Sequence, residues 1–277
     1  MILCMKRILI EIMYDGSAFN GWQVQNKQEN SVTIQGVLQD VLSKFLNENI
    51  ILYASGRTDA GVHARKQVAH FDTQSSFDFS RLPNAVNNHL PKSVVVLSAK
   101  EASASFHARF SAKQKTYKYV CYMSKTRLPL YENKALQVPE KLNFKEMKKA
   151  MRVLKGKHDF TSFCTKKNEA EKSVDFEKIK AQFSSEKDFL AMKEKLTSNI
   201  RIVTKFKVKK DKDLLVFKIQ ANGFLHNMVR IIIGTIIEVG KGSLTAKEVR
   251  EILNAKDRTK AKKTLSGCGL YLWDVEY

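Results

Sequence analysis

Apolar residues along this chain switch repeatedly between a two-residue period and a helical period, and this switching limits the folds open to it. Residues 7–14 alternate apolar and polar side chains, which predicts a strand with one buried face. Residues 31–46 instead repeat apolar side chains at helical spacing, with Ser31 or Thr33 as the helix cap. Strands and helices that alternate in this way favour an α+β fold.

The same two periods predict the remaining elements. Further strands are predicted over residues 50–54, 67–73, 94–97, 116–122, 201–209, 214–220 and 270–277. Helices are predicted over residues 144–155 and 224–239, and a capping box from Thr245 to Glu248 opens another.

The order of elements in the second half of the chain resembles the order in the first half. We therefore expect two related α/β halves with largely antiparallel sheets, over residues 1–112 and 113–277. Residues 166–198 are highly charged and only faintly helical, so we interpret them as an insertion in the second half.

The charge of the chain restricts its partners. Its 277 residues include 48 Lys and Arg against 28 Asp and Glu, which leaves a net charge of +20. An enzyme of small neutral metabolites has no need of such a field, whereas a polyphosphate partner suits it. A genome that prefers Lys on surfaces is the alternative explanation. The charge therefore favours a nucleic acid as the partner.

Cysteine spacing and apolar run lengths indicate the compartment. The four cysteines lie far apart without a CxxC pair, which argues against a cysteine zinc site and a disulfide framework. The first residues pass directly into a strand without a signal segment, and the apolar run 231–237 is too short to cross a bilayer. We expect a cytoplasmic protein without a membrane partner.

Residues 55–63 combine two glycines with one cation, Arg57, and one carboxylate, Asp59. Gly56 and Gly61 permit backbone conformations closed to other residues and a close approach to a ligand. A cation near a carboxylate favours the ionised form that a nucleophile or a base requires. A hairpin loop with a local ion pair is the alternative that this pattern alone leaves open.

The string GRTDAGVHA at residues 56–64 resembles the signature of the bacterial tRNA pseudouridine synthase A family. Further blocks similar to that family occur in the family's order along nearly the whole chain. They are YDGS at 14–17, GWQ at 21–23 with Gln25, FHARFSA at 106–112, KTY at 115–117, DFTSF at 159–163, NMVR at 227–230, AKDR at 255–258 and GLYL at 269–272. The resemblance fades over residues 166–198, which look longer than usual for the family. It implies a pseudouridine synthase fold with a central cleft.

The resemblance also implies a reaction in which the N1–C1′ bond of a uridine breaks and the turned base rejoins through C5. Asp59 is the implied catalytic carboxylate, whether it attacks C1′, adds to C6 or removes a proton at C2′. No cofactor or metal is implied, and the chain has neither a P-loop nor a GxGxxG turn after a strand. The family's active-site tyrosine corresponds to Tyr117, whose ring is expected to stack on the flipped uracil. Leu270 corresponds to an apolar residue that lines the pocket.

Two arginines match family positions near the catalytic aspartate. Arg57 and Arg230 are expected to keep Asp59 ionised and to bind phosphate beside the target. For Arg230 we favour a buried pair with Asp59 over a solvent-facing side chain. Arg57 is also the candidate to fill the gap that the flipped nucleotide leaves.

Family membership would imply the anticodon stem-loop of tRNA as substrate, at positions 38, 39 and 40, and a homodimer. Phosphate contacts are expected mainly from basic side chains near the motifs. The candidates are Arg109, Lys113, Lys115, Lys118, Lys256 and Arg258. Two alternatives remain open: a pseudouridine synthase with another RNA target, and a non-catalytic RNA-binding protein on the same scaffold.

Histidines and aromatic residues near the motifs invite other functions. Because no HxxxH pair supports a metal site, we expect hydrogen-bonded structural roles for His63, His107 and His226. Phe19 and Trp22 could stack on RNA, but we favour a place in the core after the first strand.

Overall fold

The computed structural model describes residues 5–24, 31–139, 141–165, 180 and 185–277. The chain divides into two compact units. Unit 1 comprises Met1–Lys113 with Tyr271–Tyr277, and unit 2 comprises Gln114–Leu270. None of the helices in the described ranges is long and apolar enough to cross a membrane.

Helices and strands alternate along the chain, with largely antiparallel pairing, which confirms the predicted α+β class. The strands are β1 (Lys6–Tyr14), β2 (Tyr53–Ala54), β3 (His63–Thr73), β4 (Val94–Ala102), β5 (Gln114–Met123), β6 (Leu136–Val138), β7 (Gly156–Asp159), β8 (Ile200–Asp211), β9 (Leu214–Ala221) and β10 (Leu270–Glu276). The helices are α1 (Ile34–Leu46), α2 (Leu82–Val86), α3 (Phe144–Val153), α4 (Glu186–Thr197), α5 (Met228–Gly240) and α6 (Ala246–Ala255).

Unit 1 is built around β1, which pairs antiparallel with both β3 and β4. β2 pairs antiparallel with β3, while β10 runs parallel to it. The alternation predicted for β1 is confirmed, because Ile8, Ile10 and Ile12 are fully buried. The predicted cap of α1 is Thr33, whose side-chain oxygen accepts a hydrogen bond from the N–H of Gly36 at 3.2 Å.

Two predicted boundaries in unit 1 are wrong. The strand predicted over 50–54 is reduced to β2, because side chains of α1 bind the backbone donors before it. The N–H of Ile50 donates to Ser43 Oγ and the N–H of Leu52 donates to Gln39 Oε1, both at 3.0 Å. β3 begins at His63 rather than near residue 67, since β10 supplies a parallel partner there.

Unit 2 contains the antiparallel strand order β5–β9–β8–β7, with β6 parallel to β5. One face of this sheet is buried, as Phe217 and Ile219 show, and α3 contacts β8, α5 and α6. The predicted capping box is confirmed: Thr245 Oγ1 accepts from the N–H of Glu248, whose carboxylate accepts from the N–H of Thr245.

The helix predicted from residue 224 is wrong at its start. α5 begins at Met228, because Asn227 has a left-handed backbone with φ of 60°. The division predicted at residues 112 and 113 also differs from the two units. Residues 271–277 lie in unit 1, since β10 pairs with His63 and Ala64 of β3.

Some predicted features fall outside the described residues. Gln25 of the second motif lies there, as does most of the segment 166–198. The described end of that segment contains α4, in which Phe189 and Met192 are buried.

Candidate active site

The loop from Ser55 to Val62 joins β2 to β3 in unit 1, and buried polar groups fix its first half. The N–H of Ser55 donates to the carbonyl of Val68, and its hydroxyl donates to Gln67 Oε1, both at 2.7 Å. Gln67 Nε2 donates in turn to the carbonyl of Gly56 at 2.8 Å. Ser55 and Gln67 are both fully buried, so these bonds lie in a low-dielectric environment where they are costly to break.

The loop is also held at Thr58, its fourth residue. Thr58 Oγ1 lies 2.7 Å from the hydroxyl of Tyr14, in a buried hydrogen bond. The N–H of Trp22 donates to the carbonyl of Thr58 at 3.0 Å. Burial raises the pKa of Tyr14, so its hydroxyl keeps its proton at neutral pH. Thr58 is therefore fixed through both side chain and backbone, directly before Asp59.

Gly16 and Gly21 allow the segment that follows β1 to lie close to this loop. Gly21 has φ of +90°, and a Cβ there would lie 2.6 Å from the carbonyl oxygen of Thr58. A Cβ at Gly16 would collide with the carbonyl of Val62. A side chain at either position would displace the backbone on both sides of Asp59.

Asp59 is half-buried and Arg57 is exposed. A second guanidinium, that of Arg109, lies near Arg57. Desolvation by surrounding atoms lowers the pKa of Arg109, and the positive charge of Arg57 lowers it further. In the described part of the chain, neither arginine forms an ion pair with a carboxylate. Two neighbouring cations near a carboxylate-bearing loop suit an anionic ligand such as a phosphodiester.

The nearby histidines and aromatic residues have the structural roles that were expected. His63 Nδ1 accepts a hydrogen bond from the N–H of Gly16 at 3.2 Å, and His107 Nδ1 accepts one from the N–H of Arg109 at 3.1 Å. Trp22 and Phe19 are buried. Among the described residues, no three His, Cys, Asp or Glu side chains are grouped as metal ligands.

Tyr117 lies on β5 of unit 2, opposite Ile219 of β9. It is largely buried, and its ring meets Phe224 edge to face with 5.1 Å between the ring centroids. Tyr119 is fully buried and donates its hydroxyl proton to the carbonyl of Ser266 at 2.8 Å. Tyr119 is therefore a core residue of unit 2.

Arg230 lies in the first turn of α5, also in unit 2. Its Nε donates to the carbonyl of Leu265 at 2.6 Å, and its Nη1 donates to Asn227 Oδ1 at 2.7 Å. These bonds hold a half-buried guanidinium in place instead of letting it extend into solvent. Leu270 is buried at the start of β10.

The structure thus places Asp59 and Arg57 in one loop of unit 1, and Tyr117, Arg230 and Leu270 in unit 2. Sequence reasoning did not single out Tyr14 and Gln67, although both fix the loop that carries Asp59. The available signal was the position of Tyr14 directly before the turn at Gly16, within one of the quoted motifs.

Known proteins are similar to this chain along nearly its whole length. A family model described as tRNA pseudouridine synthase matches residues 10–111 and 179–277. A protein of Thermoanaerobacter sp. (strain X514) is 41% identical over 273 residues, which cover 99% of this chain and 100% of the relative. Proteins of Anoxybacillus flavithermus and Brevibacillus brevis are each 40% identical over 274 residues, covering 99% of this chain and 99% and 100% of the relatives. All three are called tRNA pseudouridine synthase A.

The family model leaves residues 112–178 unmatched, and these include the first part of the charged segment 166–198. The interpretation of that segment as an insertion stays a prediction.

Proposed function

The chain belongs to the tRNA pseudouridine synthase family, and from this premise we propose that it modifies the anticodon stem-loop, at positions 38, 39 and 40. It is an isomerase that converts uridine to pseudouridine in tRNA. The reaction exchanges an N1–C1′ bond for a C5–C1′ bond, while a proton leaves C5 and N1 gains one. No external atom or electron is consumed.

We propose Asp59 as the catalytic carboxylate. The observation that carries this proposal is the buried anchoring of its loop through Gln67 at Gly56 and through Tyr14 at Thr58. Two anchors directly before a half-buried carboxylate hold it in one geometry before substrate arrives, which is what a catalytic group requires. Attack at C1′, addition at C6 and proton removal at C2′ are all chemistries open to such a carboxylate.

Four further side chains are proposed to bind the substrate. Arg57 and Arg230 supply positive charge for phosphate, and Arg57 is the candidate to fill the space of the flipped nucleotide. Tyr117 offers an aromatic face for the uracil and Leu270 an apolar wall. A homodimer and a cytoplasmic location are proposed on family membership, and light scattering of the purified protein tests the first.

The deciding experiment is Asp59→Asn. We expect this variant to lose pseudouridine formation while its affinity for tRNA stays within about threefold, because a carboxylate does not bind phosphate. Tritium release from C5-labelled uridine in tRNA measures turnover, and filter binding measures affinity. Asp40→Asn, which removes an exposed carboxylate of α1 paired with Lys44, serves as the matched control. Residual turnover in Asp59→Asn would overturn the assignment.

The proposed target is tested separately. Pseudouridine is mapped in tRNA from cells with and without this protein. Loss confined to the anticodon arm supports the proposal, loss elsewhere indicates another RNA target, and no loss favours a binding protein without turnover.

A further inference from the structure

One face of the unit 2 sheet carries a row of lysines across three adjacent strands. Lys207 of β8 pairs directly with Lys218 of β9, which pairs in turn with Lys118 of β5. Directly paired residues of antiparallel strands project from the same face, and like charges in such positions repel each other. Lys205 and Lys209 lie two residues to either side of Lys207, so they share this face.

This face is the solvent side of the sheet. The side chains that alternate with the lysines, Phe206 and Phe217, are buried on the opposite face. Lys205, Lys207, Lys209 and Lys218 are all exposed, and we call these four the lysine face. Across the residues that the structure describes, none of the four forms a salt bridge or a side-chain hydrogen bond.

The residues paired with the flanking lysines carry no negative charge, and the nearest acidic residue of β8 on this face is Asp211, two residues after Lys209. Lys205 faces Gln220 and Lys209 faces Val216, both neutral. Asp159 on β7 is 3.7 Å from Lys256, so that carboxylate already has a cation beside it. A concentration of like charge on a sheet face opposes folding, and among the described residues the four lysines of the lysine face have no carboxylate partner that offsets it.

From this arrangement we propose that the lysine face binds the phosphodiester backbone of the tRNA substrate. Ammonium groups spaced by the strand separation of about 4.8 Å and the two-residue repeat of about 6.7 Å form a grid of cations suited to successive phosphates. Such contacts depend on charge and shape and not on base sequence. The inference rests on the proposed function, because the RNA is the substrate of that reaction.

The composition of the face favours RNA over two other anionic partners. Protein interfaces are depleted in Lys and enriched in aromatic residues. On this face of the sheet, the paired residues are Lys205 with Gln220, Lys207 with Lys218 and Lys209 with Val216, and none of them is aromatic. Membrane-surface sites combine cations with Trp, Phe or Leu that enter the lipid, which these positions also lack.

The test replaces all four lysines of the lysine face with Gln and measures the Kd for full-length transcribed tRNA over a series of KCl concentrations. Each phosphate contact adds about 0.7–0.9 to the slope of log K against log salt. We expect the magnitude of the slope to fall by about 2–3 and low-salt affinity to fall at least about tenfold. Replacement of the same four lysines by Arg should restore both values.

The matched control replaces Lys92, Lys100, Lys145 and Lys148, four exposed lysines elsewhere, with Gln. It removes the same charge and should leave the slope within about one unit of wild type. Equal losses in both variants, or no loss in either, would overturn the proposal. So would a lysine-face variant that keeps tRNA binding but loses binding to phosphatidylserine vesicles or to an acidic protein.

The outcome is separable from the proposed function. If wild-type protein neither binds nor modifies tRNA, the proposed function fails. If wild-type protein modifies tRNA and the lysine-face variant keeps its salt slope, only the inference about this face fails. If circular dichroism shows that the Gln variant does not fold, the KCl series is measured on the single variant Lys207→Glu. The slope of log K against log salt should then fall by a smaller amount.

Discussion

The hydrogen bond between Tyr14 and Thr58 joins β1 to the residue before Asp59, at 2.7 Å in a buried environment. Tyr14→Phe removes this bond and leaves the Thr58 hydroxyl without its Tyr14 partner, at a cost of about 1–3 kcal/mol in stability. Because the loop then loses an anchor, we expect kcat to fall about tenfold with KM for tRNA little changed. Steady-state kinetics measures both.

Two companion variants separate positioning from general destabilisation. Tyr53→Phe removes the hydroxyl of a half-exposed tyrosine in the same unit and should leave kcat unchanged. Tyr14→Phe combined with Thr58→Val should be no slower than the slower single variant, since both remove the same bond. Additive losses in the double variant would contradict the anchoring role.

At the scale of elements, the close approach of the segment after β1 to the loop that carries Asp59 depends on Gly21. Gly21→Ala forces a side chain onto a backbone with φ of +90° and places it 2.6 Å from the carbonyl oxygen of Thr58. We expect a loss of more than about 2 kcal/mol in stability and at least about 100-fold in kcat. Thermal unfolding and single-turnover kinetics measure these losses.

Gly242 provides the matched control for that prediction. Its φ is +84°, yet a Cβ there would meet nothing within 4 Å. Gly242→Ala therefore carries the backbone penalty alone, about 1–2 kcal/mol, and should keep full kcat. Equal effects of the two substitutions on kcat would show that strain, and not the contact with the loop, controls activity.

At the scale of the whole molecule, two buried histidines make stability depend on pH. His70 and His107 have ring centroids 4.7 Å apart, and each Nδ1 accepts a backbone N–H. Burial lowers the pKa of His70 to about 4, with a further contribution from Arg7. Burial and the neighbouring His70 lower the pKa of His107 to about 3. Both rings are therefore neutral in the folded protein at neutral pH.

The sign of the effect follows from these lowered pKa values. The unfolded chain protonates each histidine near pH 6.5, so between about pH 6.5 and 4 it binds more protons than the folded protein. As the pH is lowered through this window, the free energy of unfolding should decrease by up to about 1.4 kcal/mol per pH unit for each histidine. Urea unfolding followed by tryptophan fluorescence measures unit 1, which holds both Trp22 and Trp273.

Two variants check the source of that dependence. His107→Asn should flatten the slope by about half, whereas His89→Gln, which alters an exposed histidine, should leave it unchanged. An unchanged slope in His107→Asn would assign the pH dependence to other groups.

The sequence by itself determined the α+β class, the buried face of β1, the caps of α1 and α6 and the family, because local periodicity and motif order carry that information. Tertiary structure alone decided where β2 and α5 begin, that β10 joins unit 1, and that Tyr14 and Gln67 hold the loop of Asp59. The start of α5 follows from the left-handed backbone of Asn227, whereas the other features depend on hydrogen bonds between residues distant in sequence, such as Gln39 to Leu52 and Tyr14 to Thr58. The lysine face has the same origin: the chain spaces its lysines along single strands, and only strand register places them side by side.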